Sequence, residues 1–273
     1  MEGFQQSGSE SLEAEPPGFS PDELQQFARD GYVVVRGLAA PEMCRHMLEC
    51  TRAGLASRTG PLEYEADLHY PGAPASRALP GGDTIRRLKE AHGRDPAFTQ
   101  WVSSPPLVAR LEQLLGPRVV MPLAHHNCIM TKHPRFSSET GWHQDIRYWS
   151  FERPDLVSVW LALVDETPQN GCLHLIPGTH TQTFRRDQFD DALFLRPDLA
   201  ENAALIARAV PAALRAGDVL FFHSRTFHAA SQNHTDQTKY SVVFTFRPQD
   251  NSPLPRTRSS AHPELLLPTY SCP

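Results

Sequence analysis

The chain has 273 residues, 40% of them hydrophobic, which suits one substantial core. Its net charge of −5 and isoelectric point near 6.2 argue against a nucleic-acid partner, which usually requires a basic face. Five cysteines occur without any Cys-x-x-Cys pair, so neither a disulfide framework nor a zinc knuckle is expected.

Targeting signals are not evident in the sequence. It contains no apolar run of membrane length, and its acidic, polar first residues lack the basic start and apolar stretch of a signal peptide. The last four residues, Tyr-Ser-Cys-Pro, differ from the peroxisomal address Ser-Lys-Leu. We therefore expect a cytoplasmic protein without a membrane partner.

Helical signals dominate the first part of the chain. We interpret residues 1–18 as a disordered tail and residues 19–273 as one domain. A capping serine, a proline and a glutamate in Ser20-Pro21-Asp22-Glu23 predict a helix that runs to about Arg29. Tyr32–Arg36 is rich in β-branched residues and is predicted as a strand. Further helices are predicted from Pro41, over residues 84–91, and from Ser104 to Leu115.

The pattern changes from Val119 onward, where short β-like runs alternate with turns. These runs are 119–131, 156–164, 172–176, 218–223 and 239–247. Regular short strands of this kind predict a barrel or sandwich supported by the helical flank. Residues 58–83 are rich in glycine and proline, and long loops in compact domains are often lids, which we predict here.

The His-x-Asp motif in Gly141-Trp142-His143-Gln144-Asp145 is the first chemical signal. Side chains two residues apart on an extended backbone point the same way, so His143 and Asp145 can bind one metal ion together. Two histidines and one carboxylate on one face of an octahedral ion are typical of non-haem Fe(II) oxygenases. Alone, the motif also fits a surface turn in which the aspartate acts as a cap.

Three later histidines are candidates for the remaining ligand. His223 and His228 follow a turn at Gly217, and because they are five residues apart they would face opposite sides of one strand. At most one of them is expected to bind the metal. His234 lies in a polar stretch typical of an exposed turn, which makes it the weaker candidate.

Taken together, these segments resemble the phytanoyl-CoA dioxygenase family. The resemblance covers roughly residues 20–250 and is carried by Trp142 to Phe151, Trp160 to Asp165, Asn170 to Leu173, Ile176 to His180 and Gly217 to His228. It implies a mainly β fold with flanking helices, a double-stranded β-helix or jelly-roll, cupin-like barrel. It also selects His228 over His223, so the implied catalytic residues and iron ligands are His143, Asp145 and His228.

The resemblance further implies Fe(II), 2-oxoglutarate and O2, with ascorbate as an optional reductant. The implied reaction is hydroxylation of a small organic molecule, coupled to decarboxylation of 2-oxoglutarate to succinate and CO2. The carboxylate of Asp145 favours hydroxylation, because related halogenases have a small residue there. A monomer is also implied.

The far carboxylate of 2-oxoglutarate needs a cation, and here the sequence departs from the family. The family usually has an arginine eleven residues after the distal histidine, whereas this chain has Lys239, which lacks the bidentate fork of arginine. We expect Lys239, with Ser241 on the same strand face, to bind this carboxylate, and Arg247 is the alternative. Other family positions that line the cosubstrate pocket are Gln144, Trp160, Cys128 and Thr131, each of which also fits a plain structural role.

Arginines near the predicted pocket would suit an anionic substrate, although salt bridges are the plainer explanation; they are Arg86, Arg87, Arg147 and Arg225. Two other classes stay open. One is a cupin-like isomerase or hydrolase that uses Mn or Zn without 2-oxoglutarate, and the other is a non-catalytic metal- or 2-oxoglutarate-binding protein. The orientation of Lys239 and Arg247 relative to the metal discriminates the first of these from the oxygenase.

Overall fold

The computed structural model describes residues 18–68 and 70–270 of the chain. The predicted tail, residues 1–18, lies outside this part except for Gly18. The described helices are α1 (Pro21–Asp30), α2 (Pro41–Ser57), α3 (Pro96–Val102), α4 (Pro105–Leu115) and α5 (Ala200–Ile206). None of these helices has the length and hydrophobicity needed to cross a membrane.

The start of α1 has the predicted capping arrangement. The Ser20 side chain accepts a hydrogen bond from the backbone N–H of Glu23, whose carboxylate accepts one from the Ser20 N–H. The helix ends at Gly31, whose φ of 81° lies in the left-handed region that glycine adopts without strain. The first strand begins at the next residue, so α1 is tied closely to the sheet.

The described strands form two antiparallel sheets. The large sheet contains β1 (Tyr32–Val35), β2 (Leu62–Tyr64), β3 (Ile85–Lys89), β4 (Val119–Pro122), β5 (Asn127–Lys132), β7 (Val157–Ala162), β10 (Val219–His223), β12 (Lys239–Pro248) and β13 (Glu264–Leu266). The small sheet contains β6 (Thr140–His143), β8 (Leu173–Leu175), β9 (Val210–Pro211) and β11 (His228–Ala230). The strand orders are β1-β10-β7-β12-β5-β3-β2 and β6-β11-β8-β9, and β4 pairs with β12 and β13.

The prediction of a helix over residues 84–91 is wrong. This segment contains β3, in which Arg87 pairs with Met130 and Leu88 pairs with Ile129 of β5. The spacing of Ile85 and Leu88 fits a helix, but both side chains are buried and the backbone hydrogen bonds of β5 fix the segment as a strand. The predicted run 119–131 is likewise two strands, β4 and β5, separated by a turn.

The two faces of the large sheet bury different partners. On β7, Val159 and Leu161 point into a core shared with α2, α3 and α4, whereas Trp160 and Ala162 point into a second core. That second core also contains Leu173 and other residues of the small sheet, so the two sheets face each other. Alternation along the strands therefore places the helices outside and an inter-sheet space inside, as in a double-stranded β-helix.

Candidate metal centre and active site

The candidate metal ligands meet because two strands of the small sheet pair in register. His143 on β6 lies directly opposite His228 on β11, and their ring centroids are 4.1 Å apart. Asp145 follows β6 after Gln144, whose extended backbone turns the aspartate toward the two rings. One ligand atom from each of these three residues lies within 4.8 Å of the other two, and all three side chains are buried. The predicted ligands are therefore brought together.

Both imidazoles are oriented by backbone carbonyls. His143 Nδ1 lies 2.8 Å from the carbonyl oxygen of Gly141, and His228 Nδ1 lies 3.1 Å from that of Thr226. A carbonyl can only accept, so Nδ1 carries the proton and Nε2 keeps its lone pair. Burial lowers the pKa of both histidines, and for His143 the neighbouring His228 lowers it further. Two neutral nitrogens suited to a metal ion thus face the same point.

Asp145 completes the set with an ionised oxygen. Its Oδ1 is 3.8 Å from His143 Nε2 and 3.6 Å from His228 Nε2, while its Oδ2 accepts a hydrogen bond from Ser158 Oγ at 2.9 Å. Burial opposes ionisation, but His126 and then His228 hold the pKa of this carboxyl well below its usual range. The site therefore offers one anionic and two neutral ligands, the donor set of a 2-His-1-carboxylate centre.

His126 was not singled out from the sequence, although it contacts the triad. Its Nε2 lies 3.0 Å from Asp145 Oδ1, and its ring meets Trp149 edge to face. Burial opposes protonation, but the charge of Asp145 raises the pKa of His126 to about 9. The only sequence signal was its place in a His-His pair just before β5, which does not distinguish it from His125.

The other two candidate histidines, His223 and His234, are not part of the triad. His223, at the end of β10, packs against His180 with ring centroids 5.5 Å apart, and burial lowers its pKa to about 4. His234 is exposed, as predicted for a polar turn. The strand bends between His223 and His228 through Ser224 and Thr226, so only the later histidine reaches the small sheet.

A cavity opens beside His143 and His228. Of the predicted cosubstrate residues, Trp160, Thr131 and Lys239 line it. The hydroxyl of Thr131 is already committed, because it donates to the carbonyl oxygen of Ile85 at 2.5 Å. The Lys239 ammonium lies 5.0 Å from the Trp160 ring centroid, a distance at which the ring face attracts a cation.

Lys239 has a buried acidic partner that the sequence did not reveal. Its Nζ donates to Glu166 Oε2 at 2.9 Å, and the other carboxylate oxygen, Oε1, accepts from Ser241 Oγ at 2.6 Å and from Trp160 Nε1 at 2.8 Å. Glu166 is 1% exposed and Lys239 is 3% exposed, so this is a fully desolvated ion pair. The Glu166 carboxylate thus accepts hydrogen bonds from Lys239 and Ser241, the two residues that the sequence predicts to bind 2-oxoglutarate.

The remaining predicted cosubstrate residues do not line this cavity. The Gln144 amide donates to the carbonyl of Arg225, and Cys128 is buried in the inter-sheet core. Ser241 acts through Glu166. Arg247 is held between Glu264 and the carbonyl oxygens of Pro248 and Gln249, at the opposite end of β12 from Lys239.

The arginines mostly have acidic or carbonyl partners. Arg86 is buried and bonds to Glu65, Ser138 and Thr140, and Arg87 pairs with Glu63. The guanidinium of Arg225 donates to a backbone carbonyl.

Arg147 has more unpaired nitrogens than these arginines, among which only Arg87, beside the cavity, has a buried Nε without a hydrogen-bond partner in the described part of the chain. Its Nη1 donates to the carbonyl of Leu193 at 2.9 Å, and its guanidinium carbon lies 3.9 Å from the ring centroid of Phe194. Its buried Nε and Nη2 have no hydrogen-bond partner among the described residues.

The predicted lid loop approaches this same region. Tyr70 meets Phe194 edge to face at 5.5 Å, and Phe194 in turn meets the ring of His143 at 5.8 Å. The backbone carbonyl of Pro71 accepts from the N–H of Glu139, next to β6. Part of the loop is ordered as β2, which pairs with β3. The loop thus connects the outer sheet edge with the triad.

Comparison with known proteins agrees with this geometry. Residues 27–241 match the phytanoyl-CoA dioxygenase (PhyH) family. Phytanoyl-CoA dioxygenase domain-containing protein 1 of Mus musculus is 26% identical over 264 residues, which cover 82% of this chain and 88% of that protein. Ectoine dioxygenase of Bordetella parapertussis is 24% identical over 257 residues, which cover 85% of this chain and 77% of that protein.

Solved structures show the same fold. EctD from S. alaskensis, solved with 2-oxoglutarate and 5-hydroxyectoine, superposes with a TM-score of 0.70 at 22% identity, covering 89% of this chain and 81% of that chain. The epimerase SnoN, solved with Fe3+, alpha ketoglutarate and nogalamycin RO, gives a TM-score of 0.67 at 21% identity and covers 86% and 85% of the two chains. The predicted double-stranded β-helix is confirmed, although its sheets do not close into a barrel among the described strands. This chain belongs to the phytanoyl-CoA dioxygenase family and is an oxygenase whose buried His-Asp-His triad can hold a metal ion.

Proposed function

We propose that this chain is an Fe(II)- and 2-oxoglutarate-dependent dioxygenase that hydroxylates a small organic molecule. The observation that carries the proposal is the convergence of His143, Asp145 and His228 on one point beside a cavity. Two neutral nitrogens and one carboxylate oxygen leave the other positions of an octahedral ion open for 2-oxoglutarate and O2. When bound, iron and 2-oxoglutarate would supply the oxidising chemistry, with release of succinate and CO2.

The protein's own contribution is to hold the ligands and exclude water. Gly141 and Thr226 fix the tautomers of the two histidines through their carbonyl groups. Ser158 holds Oδ2 of Asp145, so that Oδ1 is the oxygen directed at the metal. Contacts of this kind orient metal ligands and tune their affinity. His126 also faces Oδ1 and is the polar residue nearest to the carboxylate on the cavity side.

We propose Lys239 as the residue that binds the far carboxylate of 2-oxoglutarate. An ammonium group has three N–H donors, and Glu166 accepts one, so two remain for a ligand in the cavity that Lys239 lines. Glu166 and Ser241 then act as positioning residues for Lys239. Arg247 offers nothing comparable, because its side chain is bonded to Glu264 away from the lining residues.

The pairing of Lys239 with Glu166 also favours a second candidate function. Because the ion pair is neutral as a whole, it attracts a carboxylate less strongly than a lone cation would. A metal-dependent oxygenase that does not use 2-oxoglutarate would need no such anchor. The two candidates differ in whether 2-oxoglutarate binds at the metal.

We further propose an anionic substrate that contacts Arg147. A guanidinium with two buried, unpaired nitrogens is suited to a planar carboxylate or a phosphate. Arg147 lies beside Phe194, which contacts the metal ligand His143, so an anionic group bound there would place the rest of the substrate near the triad. The loop at residues 58–83 would close over this substrate through Tyr70. Slower proteolysis of that loop with substrate bound is the expected result.

The remaining parts of the proposal concern assembly and location. The net charge of −5 supports the absence of a nucleic-acid partner. We propose a cytoplasmic monomer without a membrane partner, which size-exclusion chromatography with light scattering and imaging of a tagged full-length chain would test.

The direct test of function is succinate formation from 2-oxoglutarate in the presence of Fe(II), O2 and ascorbate. Wild-type protein should release succinate slowly without substrate and faster when the correct substrate is added from a panel of small carboxylates and phosphates. The His228→Ala variant is the matched inactive control. Turnover of a panel member without consumption of 2-oxoglutarate would instead establish the second candidate function.

A further inference from the structure

A second cluster of metal-binding side chains lies outside the active site. His46 and Cys50 are four residues apart on α2 and so lie on the same face of the helix. Asp95, the residue that caps α3, meets them from another part of the chain. These three residues offer one ligand atom each within 4.8 Å of one another. The cluster belongs to neither sheet and shares no residue with the cavity beside the triad.

The spacing of these atoms matches the ligand spacing of a small tetrahedral ion. His46 Nε2 is 3.0 Å from Asp95 Oδ1 and 3.7 Å from Cys50 Sγ, so one nitrogen faces both other ligands. Around a tetrahedral zinc ion with bond lengths of about 2.0–2.3 Å, ligand atoms lie roughly 3.3–3.6 Å apart. Both distances from His46 Nε2 therefore differ from the tetrahedral spacing by only a few tenths of an ångström.

From this geometry we infer that His46, Cys50 and Asp95 form a second metal site, which takes zinc(II) with water in the fourth position. Thiolate, imidazole and carboxylate together are a zinc donor set, and the two anionic ligands neutralise the ion. On binding, the Cys50 thiol loses its proton to solvent and the thiolate bonds to zinc. The ion would link α2 to the beginning of α3. This inference does not depend on the proposed dioxygenase function.

The surroundings of Cys50 favour binding of a cation. The carboxylates of Asp95 and Glu49 interact electrostatically with its thiol group. These negative groups attract a divalent ion, and His46, which is 54% exposed, leaves the site open to solvent.

Cobalt(II) provides a test that separates this site from the active site. Titrated anaerobically into metal-free full-length protein, it should give a near-ultraviolet thiolate-to-cobalt charge-transfer band, because cysteine coordinates here and not in the triad. The band should be lost in Cys50→Ser and retained in His228→Ala. Asp95→Asn should weaken it without unfolding α3, since asparagine also caps helices. Cys44→Ala, on the same helix, is the matched control and should keep the band.

Zinc stoichiometry by equilibrium dialysis gives the second readout. Cys50→Ser and His228→Ala should each bind one equivalent less than the wild type, and Cys50→Ser should keep full succinate release. A band that survives in Cys50→Ser, or that disappears in Cys128→Ala, would overturn the inference, because the thiolate would then come from the residue next to the catalytic cavity. Equal zinc stoichiometry in Cys50→Ser and wild type would also overturn it.

Discussion

Two regions of the cavity contain buried charges, and these charges are balanced by different kinds of partner. In the metal region, His143, Asp145 and His228 direct their lone pairs at one point. In the Lys239 region, Lys239 and Glu166 satisfy each other, with Ser241 and Trp160 donating to the same carboxylate. The metal region is completed only by an external cation. The Lys239 region is already neutral, so a ligand there must add to an existing ion pair.

This difference has an energetic consequence. Removing His143 or His228 weakens the site, but it leaves no unpaired charge in the interior, because both histidines are neutral. The fold is therefore expected to survive. Removing Lys239 leaves Glu166 buried and unpaired, and breaking such a pair costs about 3–5 kcal/mol of unfolding free energy. Variants of the first region should therefore affect chemistry most, whereas variants of the second should affect both chemistry and stability.

The largest expected effect is that of His228→Ala. Loss of one of three protein ligands should abolish Fe(II) binding at micromolar metal and reduce succinate release by at least about 100-fold, since even the outer contacts of a metal site contribute 10–100-fold. His223→Ala is the matched control, because this histidine faces His180 and not the metal. Equal loss of activity in both variants would show that the distal ligand has been assigned wrongly.

Lys239→Ala should reduce both stability and cosubstrate binding. We expect a loss of about 3–5 kcal/mol in urea unfolding and a roughly tenfold higher KM for 2-oxoglutarate. Adding Glu166→Gln to this variant should restore part of the stability but not the KM. Arg247→Ala should leave the KM unchanged, since Arg247 is bonded to Glu264. If Arg247→Ala raised the KM and Lys239→Ala did not, the anchor would be Arg247.

Ser158→Ala should have a smaller effect that stays within the metal region. It removes the donor to Asp145 Oδ2 without creating a new charge, so the carboxylate can rotate. We expect the dissociation constant of Fe(II) to rise by about tenfold, with little change in the KM for 2-oxoglutarate. Ser241→Ala is the complementary variant, because it removes a donor to Glu166 in the Lys239 region. It should alter the KM and spare metal affinity.

The smallest effect is a pH dependence of stability that arises outside both regions. Burial and then the charge of the nearby His180 lower the pKa of His223 from 6.5 to about 4. Between these values the unfolded chain binds a proton that the folded chain does not, so stability falls as the pH falls. His223 alone should contribute a loss of about 1 kcal/mol between pH 7 and 5.5. A smaller slope in His223→Gln, measured by urea unfolding, would confirm this source.

The candidate ligands of the metal region could be predicted from the sequence because two of them lie close together in the chain. His143 and Asp145 are only two residues apart, joined by the extended Gln144, and the family resemblance selected His228 from the later strand. The Lys239 region was only half predictable. Lys239 follows from the spacing to His228, but Glu166 lies in a loop after β7, and its contact with β12 exists only in the folded sheet. His126 reaches Asp145 from the turn before β5 and Ser158 reaches it from β7, and neither residue is part of a recognisable motif.

The same reasoning explains the outcome for the fold. The apolar runs of β7, β10 and β12 were readable because each of these strands buries both of its faces. The segment at residues 84–91 was misassigned because its residues, including Arg86 and Arg87, are good helix formers whose strand state depends on β5. Pairing with β5 in the folded sheet therefore determines that this segment is a strand.

We propose that the metal region holds iron and that the metal region and the Lys239 region together bind 2-oxoglutarate. The most direct measurement is the visible spectrum of the metal-free protein after anaerobic addition of Fe(II) and then 2-oxoglutarate. We expect a weak charge-transfer band at roughly 500–530 nm, from 2-oxoglutarate chelated at the open positions of the ion, that is absent in His228→Ala and weaker in Lys239→Ala. Iron binding without this band in the wild type would show that 2-oxoglutarate does not bind at the metal, and it would favour a metal enzyme that does not use 2-oxoglutarate.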